Sequence, residues 1–462
     1  MFGKYHTLCP DLVEDDTNNS GPLLILIPSP GLFDEWRNGG EAVRDVYNIG
    51  YEVFRVYPTD EQLQLLYQFQ ERRDYNIWSE AFKPNLSVDI MVAPINRMIF
   101  QKFLQQNYIK YEIKIKDVHN SLEDEQRSLF RMRSRSSGVV SQYYQYDWIQ
   151  SYLRRLENKY RNLVRVESIG KTYEGRDILV IQISTDRSAR RPIVLIDAGI
   201  HAREWIAPSM ALYIINRLVE NQVDTEELVA KVDWHIIPVI NPDGYEYTHT
   251  KVKVVLILTY AEGGSGHLGA KITGTDCGGK TVLKSRTRTV VVLTQTGTLT
   301  CTGMVGASSD PCEDTFSGTK GFSEAESQAL QKYALKYKKR IKMYLTLHCY
   351  GNLILYPWGF TKKLPENWKD LHDLAVKASE AHVKAGGEKY IIGSSTNVLY
   401  PAAGGSDDWM KGVIGVDYSY TIEMTQTYGG FIMSSVLINE TVVRFFEAIR
   451  VFGKFVADME PN

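Results

Sequence analysis

Apolar runs of strand length that alternate with amphipathic stretches restrict the fold of residues 139–458 most strongly. The clearest helical spacing lies at 207–222. Strand-length apolar runs between helices predict an α/β fold, in which helices cover both faces of a mixed sheet. The predicted strands are RDILVIQIST (176–185), RPIVLIDAG (191–199), VDWHIIPVIN (232–241), KMYLTLHCYG (342–351) and DYSYTIEM (417–424).

A smaller α/β unit precedes this region at residues 51–117. Alternating or apolar strand patterns occupy three short segments, and helical patterns occupy two, the first with Thr59 as its N-cap. This order predicts a small open sandwich. The strands are predicted at 51–58, 88–94 and 108–115, and the helices at 59–72 and 95–107.

The segment 119–138 between the two units carries Arg127, Arg131, Arg133 and Arg135 and few apolar residues. It is either a solvated linker or a segment that a trypsin-like protease cuts.

Composition narrows the function classes. The chain has 462 residues and a net charge of −2, which does not indicate binding to nucleic acid or to a membrane surface. No apolar run approaches the roughly 20 residues of a membrane span. The N-terminus is acidic and shows no secretory signal. The five cysteines of the chain have no metal-binding spacing.

Ionisable residues stand at the ends of three predicted strands, where chemistry collects in α/β sheets. His201 and Glu204 follow the strand at 191–199, His348 lies in TLHCYG, and Glu423 lies in SYTIEM. Two imidazoles and one carboxylate suit a catalytic zinc, because three protein ligands leave one position open. A second carboxylate could then transfer the proton of a metal-activated water.

Each residue taken alone also has a structural interpretation. A His-x-x-Glu pair is a weak signal. His348 could be a hydrogen-bonded core histidine, and Glu423 could be the partner in a buried ion pair. Their shared position at strand ends favours the metal site.

Several motifs together resemble the zinc carboxypeptidases of the pancreatic A/B type. These motifs are HAREW (201–205), NPDGYEYTH (241–249), HCYGNLILYPWG (348–359), YPAAGGSDDW (400–409) and YSYTIEM (418–424). The resemblance implies an eight-stranded sheet and a catalytic domain at 139–458. It also implies an inhibitory pro-domain at 49–118 and an activation linker at 119–138, and it leaves 1–48 unassigned.

The resemblance implies a role for each matching residue. His201, Glu204 and His348 would bind one Zn²⁺, and Glu423 would be the general base and acid. Tyr400 would close over the substrate carboxylate, and Arg203 and Tyr350 would line the groove. The partners would be peptide C-termini and a trypsin-like activating protease, and the protein would be a secreted monomer.

Asp407, in GGSDDW, occupies the position of the pocket floor in this family. An aspartate there is the B-type residue, so the resemblance implies removal of C-terminal Lys or Arg. The alternative is that Asp407 is a solvated turn residue beside Asp408.

The resemblance fails at residues 252–304. The family has an Asp-Arg-x-Trp-Arg-Lys segment with the oxyanion arginine, and an Asn-Arg-Asn segment that grips the substrate carboxylate. In a shifted frame with compatible third bases, 274–282 can be read as Asp-Arg-Leu-Trp-Arg-Lys-Asn-Arg. In that frame, 291–300 can be read as Gly-Val-Asp-Pro-Asn-Arg-Asn-Phe-Asp. We therefore expect an out-of-frame translation at 274–304 after untranslated sequence at 252–273, the alternative being a genuine insertion.

As written, the chain has Gly279 in place of the oxyanion arginine, and Thr296 and Gly297 in place of the grip. Cys312 loses its disulfide partner, which the shifted frame permits at Val290. Three functions therefore stay open. These are a zinc exopeptidase zymogen, a zinc-binding but catalytically impaired relative, and a non-enzymatic inhibitor based on residues 51–117.

Overall fold

The structure is a computed structural model. It describes residues 50–69, 72, 74–78, 87–118, 120–121, 139, 142–222, 225–249, 318, 320–425 and 429–459. The predicted segments 1–48 and 252–304 lie outside the described residues, as does the linker 119–138 apart from residues 120–121. The domain limits 49–118 and 139–458 remain predictions.

An eight-stranded mixed sheet forms the larger unit, as predicted. Its strand order is β11-β10-β12-β9-β7-β8-β6-β5, and β12, β9, β7 and β8 pair in parallel. The strands are β5 (Val164–Lys171), β6 (Asp177–Ile183), β7 (Ile193–Ala198), β8 (Asp233–Ile237), β9 (Ile341–Cys349), β10 (Leu353–Tyr356), β11 (Ile391–Ser394) and β12 (Tyr418–Met424).

Helices cover both faces of this sheet because its central strands are apolar on both faces. Every residue of β7 and of β8 is buried. The helices Tyr146–Lys159, Ile206–Val219, Trp368–Lys384 and Ile438–Ala457 pack on one face, and Ala325–Tyr337 and Ser406–Trp409 pack on the other. The short helices are Glu226–Lys231, Pro242–Thr248 and Ser395–Val398. Within the described ranges, no helix is long and apolar enough to cross a membrane.

The smaller unit is an antiparallel sheet with two helices, in the order β2-β3-β1-β4. One face packs on its own helices through Phe54 and Phe100. The other face places Val53, Met91 and Ile115 in the same core as the larger unit. Its elements are β1 (Glu52–Tyr57), helix Asp60–Leu66, β2 (Tyr75–Ile77), β3 (Val88–Val92), helix Arg97–Gln106 and β4 (Lys110–Ile115).

Helix ends in this unit differ from the sequence predictions. The first helix has the predicted Thr59 cap, which forms a capping box with Gln62, but it ends at Leu66 and continues as a 3₁₀ turn to Phe69. The second helix begins at Arg97 rather than at residue 95. Pro94 starts a 3₁₀ turn there, since proline favours the first turn of a helix.

His235 of β8 is a buried histidine that carries no positive charge near neutral pH. The Gln182 amide donates to the Tyr333 hydroxyl at 2.9 Å, and this hydroxyl lies 2.8 Å from His235 Nδ1. Burial, together with Arg340 and Lys336, lowers the pKa of His235 to about 3. Tyr333 can therefore donate its proton to the unprotonated Nδ1.

This shift predicts a loss of stability in acid. Because the folded pKa is about 3 and the unfolded pKa is about 6.5, the unfolded chain binds the extra proton between these values. The contribution of His235 to the free energy of unfolding is therefore complete above pH 6.5. Below pH 6.5 it decreases by up to roughly 1.4 kcal/mol for each unit by which the pH is lowered. We expect the urea midpoint of His235→Phe to vary less from pH 7 to pH 4 than that of the parent. Tyr333→Phe keeps the buried imidazole and should keep the steep pH dependence of the urea midpoint. An equal pH dependence for His235→Phe and the parent would contradict the lowered pKa of His235.

Candidate metal centre and substrate groove

A row of polar side chains lies on one face of the central strands. The parallel register pairs Thr346 of β9 with Asp197 of β7, and pairs His348 with Glu423 of β12. Side chains two residues apart on a strand share a face, so these groups lie side by side. All four are buried.

His201 and Glu204 come from the turn between β7 and the helix Ile206–Val219. His201 Nδ1 lies 2.6 Å from Glu204 Oε1, and His348 Nδ1 lies 3.1 Å from Glu204 Oε2. Their ligand atoms all lie within 4.8 Å of one another. The structure thus brings together the three predicted ligands, from a turn and from a strand 144 residues further on.

The charges and donor types of this cluster suit a zinc ion. Burial raises the pKa of Glu204, but the neighbouring His201 and His348 lower it by more. The pKa of this carboxyl therefore lies below its ordinary value. One ionised carboxylate and two imidazoles are a common zinc ligand set, and they leave a coordination position for water or substrate.

Asp407 is buried close to this cluster, in the helix Ser406–Trp409. Only 4% of the residue is exposed, so it is not a solvated turn residue. Its carboxylate is hydrogen-bonded by Thr421, the register partner of Thr346, and Ser395 Oγ lies 3.5 Å from its Oδ2. Burial raises the pKa of Asp407 above its ordinary value.

Asp408, the next residue, hydrogen-bonds the chain after β10. Its carboxylate accepts the backbone N–H of Gly359 at 2.9 Å and that of Phe360 at 3.3 Å. Burial and the neighbouring charge of Asp407 raise the pKa of Asp408 well above its usual range.

Of the three predicted groove residues, Arg203 and Tyr350 pack on the same ring, whereas Tyr400 is exposed. The guanidinium carbon of Arg203 lies 3.7 Å from the centre of the Phe431 ring. Tyr350 packs edge-on against the same ring, with centroids 4.8 Å apart. Tyr400 lies at the surface with 43% exposure, in the loop before Asp407.

Two family matches decide the identity of the chain. Residues 149–448 match the zinc carboxypeptidase family, and residues 54–125 match the carboxypeptidase activation peptide. The chain belongs to the zinc carboxypeptidase family.

Named relatives and a solved structure agree with this family. The chain is 41% identical to carboxypeptidase B of Astacus astacus over 317 residues, 68% of this chain and 97% of the relative. It is 30% identical to carboxypeptidase B of Rattus norvegicus, with 88% and 94% coverage. The crystal structure of carboxypeptidase A from Helicoverpa armigera has a TM-score of 0.76 at 29% identity, and covers 89% of this chain and 98% of its own.

The predicted family, fold class, enzyme class and cofactor are therefore confirmed. This zinc carboxypeptidase is a peptide hydrolase with Zn²⁺ as cofactor, and its activation peptide makes it a zymogen that requires proteolytic activation.

The activation peptide of this zinc carboxypeptidase contacts the catalytic unit at Phe431 and Tyr350. Its Trp78 ring lies 5.8 Å from the Phe431 ring. Tyr350 donates its hydroxyl to Asp89 Oδ2 at 3.0 Å, from the catalytic unit to β3 of the activation peptide. The activation peptide thus contacts Tyr350, one of the predicted groove residues, and its neighbour Phe431.

Asp89 is the centre of a buried ion cluster at this contact. Arg55 donates to both carboxylate oxygens at 2.8 and 2.9 Å, and Lys114 Nζ donates at 2.6 Å. A β-bulge opposite Val53 and Phe54 turns both Lys114 and Ile115 inward. Burial raises the pKa of Asp89, but the two cations lower it below its ordinary value.

Sequence reasoning missed several residues of this region. Asp197 and Thr346 lie inside apolar runs and read as ordinary strand residues. Thr346 stands two residues before His348, and this spacing was an available signal for a shared face. Trp78 and Phe431 lie outside the motifs, and no sequence spacing relates them.

We expect Asp89→Asn to destabilise the contact between activation peptide and catalytic unit. The change leaves the Lys114 ammonium, whose side chain is fully buried, without the carboxylate it contacts. Removing one partner of a buried ion pair costs roughly 3–5 kcal/mol. A lower urea midpoint for the zymogen, together with faster trypsin cleavage, would show this loss.

Glu112→Gln is the matched control, because Glu112 is an exposed carboxylate in the same sheet. Its effect should stay within about 0.5 kcal/mol. An Asp89→Asn midpoint equal to that of the control would exclude a stabilising role for the ion cluster.

Proposed function

We propose that this zymogen yields an exopeptidase that removes C-terminal Lys or Arg from peptides. The buried Asp407 carboxylate beside the candidate metal centre carries the proposal. A carboxylate in a low-dielectric pocket favours a cationic partner, which a Lys or Arg side chain supplies. The relatives from Astacus astacus and Rattus norvegicus are named carboxypeptidase B, which agrees with this preference.

His201, Glu204 and His348 would hold the zinc ion. When bound, zinc polarises a carbonyl group and makes water more acidic. Glu204 supplies the carboxylate of this set, 2.6 Å from His201 Nδ1 and 3.1 Å from His348 Nδ1. Glu423 lies beside His348, because the β9–β12 register pairs these two residues.

Glu423 acts as general base and then as general acid. Its carboxylate takes the proton of the attacking water and gives it to the leaving amine of the cut peptide bond. Its position on a paired strand restricts its motion. Glu423 is shielded from bulk solvent, as only 2% of the residue is exposed.

Arg203, Tyr350 and Tyr400 bind the peptide around this centre. Arg203 and Tyr350 meet at the Phe431 ring and line the groove for upstream residues. Tyr400, exposed in its loop, closes over the terminal residue. Removal of the activation peptide frees the Tyr350 hydroxyl from Asp89 for this role.

Activation and location follow the same scheme. A trypsin-like protease cuts within the arginine-rich segment 119–138. The product is a secreted monomer.

Residues 252–304 favour a second candidate function for the literal chain, that is, the chain with the residues at 252–304 as written. They lack the arginines expected for the oxyanion and for the substrate carboxylate. Loss of one oxyanion donor costs about 10²–10³ in rate. The literal chain would then be a zinc-binding but catalytically impaired carboxypeptidase.

A comparison of two substrates and two chains tests the function. The literal chain and a version with the shifted-frame residues are trypsin-treated, loaded with zinc and given peptides ending in Arg or Phe. We expect Arg-selective hydrolysis by the repaired version and little by the literal chain. Preference for Phe would remove Asp407 from the pocket, and no hydrolysis by either would favour the impaired relative.

In the version that is active, Asp407→Ala should lower the Arg-to-Phe ratio of kcat/KM by roughly 30-fold or more, as expected for loss of a buried charge partner. The pKa of Asp407 is raised, so the parent should lose its Arg preference as pH falls through that pKa. The variant should show no such change.

Glu423→Gln should lower kcat by about 10²–10⁴, the usual contribution of general acid–base catalysis. Its zinc content should equal that of the parent, because Glu423 is not one of the three ligands. Glu440→Gln, a change at the surface of the last helix, is the control. Activity of Glu423→Gln close to that of Glu440→Gln would rule out the proposed base.

A further inference from the structure

We propose that Asp197 and Thr346 are positioning residues that hold the His348 ring in one tautomer and one orientation toward the metal. This proposal rests on the proposed role of His348 as a zinc ligand. None of the family motifs described above contains Asp197 or Thr346.

The three groups form a continuous buried chain. Thr346 Oγ1 lies 2.8 Å from Asp197 Oδ1 and 3.0 Å from His348 Nε2. Thr346 and Asp197 are register partners on neighbouring parallel strands, so the backbone pairing itself sets their separation. No more than 7% of any of the three residues is exposed.

Counting protons along this chain assigns the tautomer. The Thr346 hydroxyl has one proton and the Asp197 carboxylate has none to give, so Thr346 donates to Asp197. The hydroxyl oxygen must then accept from His348, which places the ring proton on Nε2. Nδ1 keeps its lone pair, and this is the nitrogen 3.2 Å from His201 Nδ1 and 3.1 Å from Glu204 Oε2.

The same carboxylate also connects to the substrate pocket. Tyr344 donates its hydroxyl to Asp197 Oδ2, and Ser406 Oγ lies 2.9 Å from the Tyr344 oxygen. Because the Tyr344 proton goes to Asp197, Ser406 donates to Tyr344. Ser406 immediately precedes Asp407, so Asp197 braces the metal ligand and the pocket helix together.

Thr346→Val tests the hydrogen-bonded chain from Asp197 to His348, since it removes the Thr346 hydroxyl and keeps the shape of the side chain. Zinc affinity of the full chain is measured by competition with a chelator. We expect the Kd for zinc to rise about 10–100-fold, the usual effect of losing such an outer hydrogen bond. Thr346→Ser restores the hydroxyl and should return the Kd close to the parent value.

Two further variants separate the possible failures. Thr225→Val removes another buried hydroxyl, one that donates to Arg217 O at 3.0 Å, and should leave the Kd unchanged. His348→Ala should weaken zinc binding more than Thr346→Val does. If His348→Ala leaves the Kd for zinc unchanged, the proposed metal site is wrong. If His348→Ala raises the Kd but Thr346→Val leaves it unchanged, only the proposed role of Thr346 and Asp197 is wrong.

The tautomer gives a readout that does not need bound zinc. NMR of the histidine ring nitrogens in the zinc-free chain at alkaline pH, assigned with His348→Ala, should show the proton of His348 on Nε2. A proton on Nδ1 would overturn the proposal even if Thr346→Val failed to fold.

Discussion

The parallel pairing of β9 with β12 is the constraint on which the site depends. It sets His348 beside Glu423 and Thr346 beside Thr421, while pairing with β7 adds Asp197. Side chains alternate between the two faces of a sheet, so a slip of one residue would move each of these groups to the opposite face. One register therefore positions a proposed metal ligand, the proposed base and Thr421, the hydrogen-bond partner of Asp407.

Burial makes this row of polar groups depend on mutual hydrogen bonding, because a buried polar group without a partner is costly. Asp197 meets this requirement for Thr346 and Tyr344. Asp89 does the same where the activation peptide meets the catalytic unit, because Arg55, Lys114 and Tyr350 converge on its carboxylate. Each buried carboxylate thus connects elements that are far apart in the chain.

Strong local patterns made much of the fold predictable. The core strands β7, β8, β9 and β12 lie within the predicted apolar runs, apart from Ile341 at the start of β9. Helix ends in the activation peptide were less predictable, because Pro94 and the turn after Leu66 compete with the apolar spacing. The metal cluster could be predicted because His201, Glu204 and His348 stand out at the ends of apolar strands.

The sequence by itself determined the strand-and-helix order, the family motifs and the candidate ligands, since these follow from local residue patterns. Only the tertiary structure decided that Thr346 links Asp197 to His348, that Asp407 is buried, and that Trp78 and Asp89 contact Phe431 and Tyr350. These contacts join residues up to several hundred positions apart. Strand register and domain packing create them, and neither leaves a local pattern in the chain.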